Sequence, residues 1–201
     1  MNYLQGIFLT FSLLTFEFLI VSCSGSNCKK NFTGIPPEIL EKADQFIILK
    51  TGDEFFNKYI KPDEPVSTRL ASGYLLIYKF HIPEKPFVEG LIRFTLDEEG
   101  KVLPEYEISG IPGCVNSPID CSFNINKLTA INIAKQYGLE SGIKEWDVKF
   151  LWNAQFEKYV WYVITTLKES EGGHGKRASG KEMIIDSGNG EILTVNDWRV
   201  N

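Results

Sequence analysis

The sequence predicts an α+β fold, with two helix-plus-antiparallel-sheet units in tandem that can pack as one compact domain. Three observations lead there. Apolar residues recur at helical spacing from Pro36 to Ile60 and again from Lys127 to Gly138. Runs rich in aromatic and β-branched residues follow each helical stretch. Each half also carries an aspartate-to-glycine turn between strand-like runs, with Asp97 and Gly100 in "DEEG" and Asp186, Gly188 and Gly190 in "DSGNG".

The first unit spans residues 35–125. Pro36-Pro37-Glu38 suits the first turn of a helix, where a missing N–H costs nothing and an acid meets the positive end of the dipole. Ile39, Leu40, Ala43, Phe46, Ile47 and Lys50 continue the helical spacing; Gly52 is a point of interruption, and Phe55, Phe56 and Tyr59 resume the apolar face. Two prolines and many polar residues make Lys61–Gly73 a loop. Tyr74–Phe80 and Val88–Leu96 read as strands, and beyond the "DEEG" turn Lys101–Ile108 reads as a third.

The second unit spans residues 126–201. Asn126 is an N-cap, Leu128, Ile131, Ala134 and Tyr137 line one helical face, and Gly138 is a C-cap. Trp146, Val148, Phe150 and Trp152 alternate with polar residues, the period of a strand. Tyr159–Leu167 is apolar on both faces and reads as a central strand. Glu169–Gly180 reads as a flexible hairpin loop, followed by strands Lys181–Asp186 and Glu191–Val195. Gly188 and Gly190 supply the positive φ that a tight turn demands.

Residues 1–22 stand apart. The apolar run Ile7–Val21 has 15 residues and contains Glu17, where a membrane span needs about 20 apolar residues. The length suits the core of a signal peptide. Ile20-Val21-Ser22-Cys23 resembles the bacterial lipobox, which implies cleavage before Cys23 and a diacylglyceryl group on its sulfur. An ordinary cleaved signal with an incidental cysteine is the alternative. Residues 23–34 then form a polar tether, and more than one buried acyl chain would hold the protein firmly on a membrane. The expected location is the bacterial cell envelope, lipid-anchored and extracytoplasmic, at the outer membrane.

In an oxidising compartment Cys114 and Cys121, flanking "VNSPID", read as a disulfide worth about 2–3 kcal/mol in loop closure. Cys28 is left over, either free or paired with another molecule. The formal charge of −5 and the scattered lysines offer no basic stripe for nucleic acid.

The second half, from about Leu128 to Val195, resembles the PepSY domain in "AINIAKQYGL", "YVWYVITT" and "IIDSGNGEIL". Ser187-Gly188-Asn189 stands where that family carries other residues before its Gly-Glu pair. The first half is similar to a diverged copy, and the whole chain to small bacterial lipoproteins of this layout. The resemblance implies an extracytoplasmic module tied to peptidase propeptides and to the regulation of peptidases, with no catalytic residues to carry over.

The chain shows no zincin, nucleophile-elbow, phosphate-loop or dinucleotide motif. "GGHGK" lacks phosphate-loop spacing, and neither aspartate turn has the spacing of a calcium loop. His81, at a strand end, and glycine-flanked His174 read as surface residues. No cofactor, metal or catalytic residue is expected. The functional expectation is therefore a non-catalytic binding or regulatory module, held at the membrane by lipid and directed to an envelope protein such as a peptidase. The alternative is a small-ligand carrier with a pocket between helix and sheet.

Overall fold

The computed structural model describes residues 34–172 and 175–200, and it is mixed α+β, with three α-helices and two antiparallel sheets. The expected signal peptide, Cys23, Cys28 and His174 lie outside the described residues.

Helix α1 (Pro37–Thr51) starts on Pro36-Pro37 and buries Ile39, Ala43, Ile47 and Thr51, one residue per turn along a single stripe. Gly52, at φ +82°, ends it by donating its N–H to the Ile48 carbonyl, and α2 (Asp53–Tyr59) follows directly. The first sheet holds β1 (Ile60–Pro62), β2 (Thr68–Leu70), β3 (Gly73–His81) and β4 (Glu89–Leu96). Strand β3 is central: β4 pairs along one side, and β1 and β2 share the other in succession.

Two segments differ from expectation here. Lys61–Gly73 is not all loop, because Lys61, Pro62 and Thr68–Leu70 pair with the long β3 edge. Conversely, Lys101–Ile108 is not a strand. It leaves only the single bridge Leu96↔Val102, and pairing with β4 resumes briefly at Arg93↔Ser109. Pro104 lies between these contacts and has no N–H to give a ladder.

Helix α3 (Lys127–Tyr137) opens on Asn126, whose side chain accepts the Thr129 N–H, and closes on Gly138 in the left-handed conformation. Its inward face matches the predicted one at Ala134 and differs at both ends. Ala130 and Ala134 are buried, while Leu128 and Tyr137 are 72% and 62% exposed. The second sheet is a meander of β5 (Asp147–Asn153), β6 (Lys158–Gly172), β7 (Gly175–Asp186) and β8 (Ile192–Val200). Strands β6 and β7 stay paired out to Gly172↔Gly175, so most of the expected loop Glu169–Gly180 is strand. The two halves thus share a helix-then-four-strands order but differ in how the strands are arranged.

Each helix covers a sheet. The α1 stripe joins a core with Leu76, Tyr78, Ile92 and Phe94. Ala130 and Ala134 join Trp161, Val163, Met183 and Ile185. An aromatic joint links these cores. Tyr159 of β6 stacks on Phe150 at 5.3 Å, meets Phe80 of the first sheet at 5.4 Å, and donates its hydroxyl to the Gly110 carbonyl at 3.1 Å. Phe87 packs against both cores and lies 5.4 Å from Trp161.

Gly180 of β7 shows how tightly the second sheet is built. The Trp198 indole donates to the Thr165 carbonyl at 2.9 Å, and a Cβ on Gly180 would stand 1.8 Å from that oxygen. Gly180→Ala is expected to destabilise the fold by about 3 kcal/mol, because a backbone oxygen must move rather than a side-chain tip. Urea unfolding of the full chain checks this; a cost below about 1 kcal/mol would show that the strand shifts freely.

Candidate functional site

The two aspartate turns use one device. In the first, the Asp97 carboxylate accepts the Lys101 N–H at 2.7 Å, Gly100 donates to the Asp97 carbonyl, and Gly100 has φ +81°. In the second, one residue longer, Asp186 Oδ1 accepts the N–H groups of Gly188 and Asn189 at 2.7 and 3.2 Å. Gly190 donates to the Asp186 carbonyl and has φ +80°. Gly188 is not in the left-handed region, contrary to expectation. Its missing side chain serves another purpose: a Cβ there would lie 2.3 Å from the Ile119 carbonyl.

That contact brings in the disulfide loop. Cys114 and Cys121 are joined, with Cα atoms 5.3 Å apart, and the loop between them ends in a short 3-10 helix, Pro118–Cys121. Asp120 on this helix and Asp186 on the turn both accept from the Lys158 ammonium, at 3.0 and 2.8 Å. Asp186 is 2% exposed, so its charge is held almost wholly by protein groups. The Ser187 hydroxyl donates to the Tyr159 carbonyl at 2.6 Å, and the Ile125 N–H donates to the Ser187 carbonyl. Loop, turn and β6 are thereby clasped together. Motif reading missed Lys158 and Asp120, because only the strand register places Lys158 two residues from the partner of Asp186.

Burial pushes the Lys158 ammonium down, but its hydrogen bonds to Asp186 and Asp120 outweigh that and hold it above the ordinary value of 10.5. A raised lysine stabilises the fold fully below its unfolded value and loses that contribution as pH climbs through the folded one. The stability gap between the wild type and Lys158→Met is therefore expected to hold from neutral pH up to about 10.5 and to close above it. Urea unfolding at stepped pH reads the gap; one that persists through strongly alkaline pH would mean the stem packs but the charge contributes nothing.

A cleft of about 210 Å³ opens beside the loop, lined by Lys50, Ile108, Ile111, Asn116, Trp152 and Glu157 among others. Val115 on the loop donates its N–H to the Lys50 carbonyl, fixing this wall to the end of α1. Ile108, which lines it, is 36% exposed, and Val115 on the adjoining loop is 58% exposed. Trp152 packs edge-on against Tyr159 at 5.3 Å, and its indole N–H is buried with no hydrogen-bond partner among the described residues. Burying such a donor unpaired costs about 1–3 kcal/mol. Beneath α3, by contrast, Ala130, Ala134, Trp161, Val163 and Met183 fill the space between helix and sheet.

His81 sits half exposed on β3, 3.9 Å from Glu89. Among the described residues no group of three or more His, Cys, Asp or Glu is placed to hold a metal ion, and no helix is long and apolar enough to cross a membrane. No family model, curated protein or solved structure matches the chain significantly.

Proposed function

We propose that this chain is a lipid-anchored, extracytoplasmic binding module that regulates an envelope protein, a peptidase by preference, without chemistry of its own. The lipobox-like run ending at Cys23 supports the anchor, and the PepSY-like second half supports the class of partner. The observation that carries the binding role is the Trp152 cleft. It combines a buried unpaired donor, one cation, one anion and the partly exposed Ile108, beside a cross-linked loop. An extended segment of a partner could give the indole its acceptor and cover Val115 and Ile108.

Two measurements in the native cells test this reading. Metabolic labelling with a palmitate analogue should mark the protein and be lost in Cys23→Ala. A photocrosslinker in place of Val115 should capture one envelope peptidase, and Trp152→Ala should reduce that capture by about tenfold, as expected for an aromatic anchor worth about 1.4 kcal/mol. Absence of palmitate label would remove the anchor. Capture indifferent to Trp152→Ala would remove the cleft from the reading.

A further inference from the structure

The far end of the second sheet carries a cluster that the preceding reading does not use. Register places residues opposite one another on one face, and alternate residues along a strand share that face. On the α3 side of β7 the order runs Ile185, Met183, Lys181, Ser179, Arg177. The first two lie under the helix. Lys181 stands opposite Asp197 and lies 3.7 Å from its carboxylate and 3.8 Å from that of Glu140. Beyond Lys181 the pattern changes. Lys168, Ser179 and Arg199 form one row across β6, β7 and β8, and Ser170 and Arg177 form the next.

This corner therefore presents three cations and two hydroxyls. Lys168, Arg177 and Arg199 are all exposed, and among the described residues none takes a carboxylate partner. Adjacent strands lie about 4.8 Å apart and alternate residues about 7 Å, so three long side chains can converge over Ser179. An open depression of about 410 Å³ is lined by these five residues together with Glu169, Ala178 and Val200. Such clustering is unusual in a chain of formal charge −5, since like charges on one sheet face repel.

A β-bulge creates the cluster. Pairing passes from Thr166↔Gly180 to Lys168↔Ser179, so Leu167 is the extra residue. In a regular strand Leu167 would stand opposite Ser179, Lys168 would turn to the other face, and Glu169 would stand opposite Arg177. The bulge instead keeps Lys168 with the arginines and sets Glu169 opposite Ala178, where its carboxylate takes Lys144 at 3.2 Å.

We infer that this corner binds a phosphate-bearing anion. Two guanidinium forks, an ammonium and two hydroxyls match the oxygens and charge of a phosphate group. The group could belong to a free phosphate or to a phospholipid headgroup, and soluble probes separate these sources. Phosphorus NMR titration of the full chain at physiological salt would use inorganic phosphate in one arm and glycerophosphoglycerol, a deacylated headgroup, in the other. Saturable binding is expected, weakened about tenfold or more in Arg177→Ala/Arg199→Ala. Lys127→Ala/Lys135→Ala, which removes the same charge from α3, should leave it unchanged. Binding of inorganic phosphate alone would assign a free anion, and binding of both probes a headgroup. Failure of both probes to saturate, or equal weakening by the α3 pair, would overturn the site.

Discussion

Asp186→Ala is expected to cost about 3 kcal/mol of stability, and Asp97→Ala only about 1. The two residues occupy corresponding positions in similar turns, and each accepts backbone N–H groups. What separates them is burial and the partner beyond the turn. Asp97 is partly exposed and water can replace its hydrogen bond, whereas Asp186 also holds the Lys158 ammonium. Removing one partner of a buried pair leaves the other charge poorly compensated. Lys158 keeps Asp120, which limits the loss, but the charged link between the disulfide loop and the turn is gone. Urea unfolding of both variants with the disulfide intact measures the difference. Equal costs would mean that Asp186 is only a turn former.

Tyr159→Ala is expected to cost about 4 kcal/mol, as for other buried aromatic truncations, while Tyr159→Phe costs about 1. The ring contacts Phe80 and Phe123 from the first half and Phe150 and Trp152 from the second. The hydroxyl adds only its bond to Gly110. Because the ring sits in the first core and stacks on Phe150, which packs against both cores, wild-type unfolding should be a single transition by near- and far-ultraviolet circular dichroism alike. Two separated transitions in the wild type would show that the halves fold independently and that the joint is a contact rather than a core.

The sequence revealed the elements more readily than their packing. Helix starts, the Gly52 break, the Asn126 and Gly138 caps and the alternation of β5 are local signals that the structure carries. The α3 face was misread for a physical reason. The predicted stripe shares Ala134 with the buried one, but hydrophobicity ranks Leu128 and Tyr137 above Ala130 as its companions. The sheet below presents Trp161 and Met183, and bulky residues there leave room only for alanine on the helix. The Lys158 clasp, the buried Trp152 donor and the bulge at Leu167 all depend on register or on contacts between distant segments. No local pattern encodes them. The disulfide was legible from spacing and the Asp186 turn from its glycines, but the contact between them was not.

The shared joint also sets an order of events during synthesis. Residues up to Phe123 emerge from the ribosome before Phe150, Tyr159 and Trp161, which complete their packing. At about 5–20 residues per second the missing strands arrive several seconds later. For that interval Phe80, Phe87 and Phe123 lack the rings of Phe150, Tyr159 and Trp161, and the nascent first half presents a sticky aromatic face. A chain truncated near residue 125 would keep that face permanently and should aggregate, because the first half closes its aromatic joint only with rings of the second.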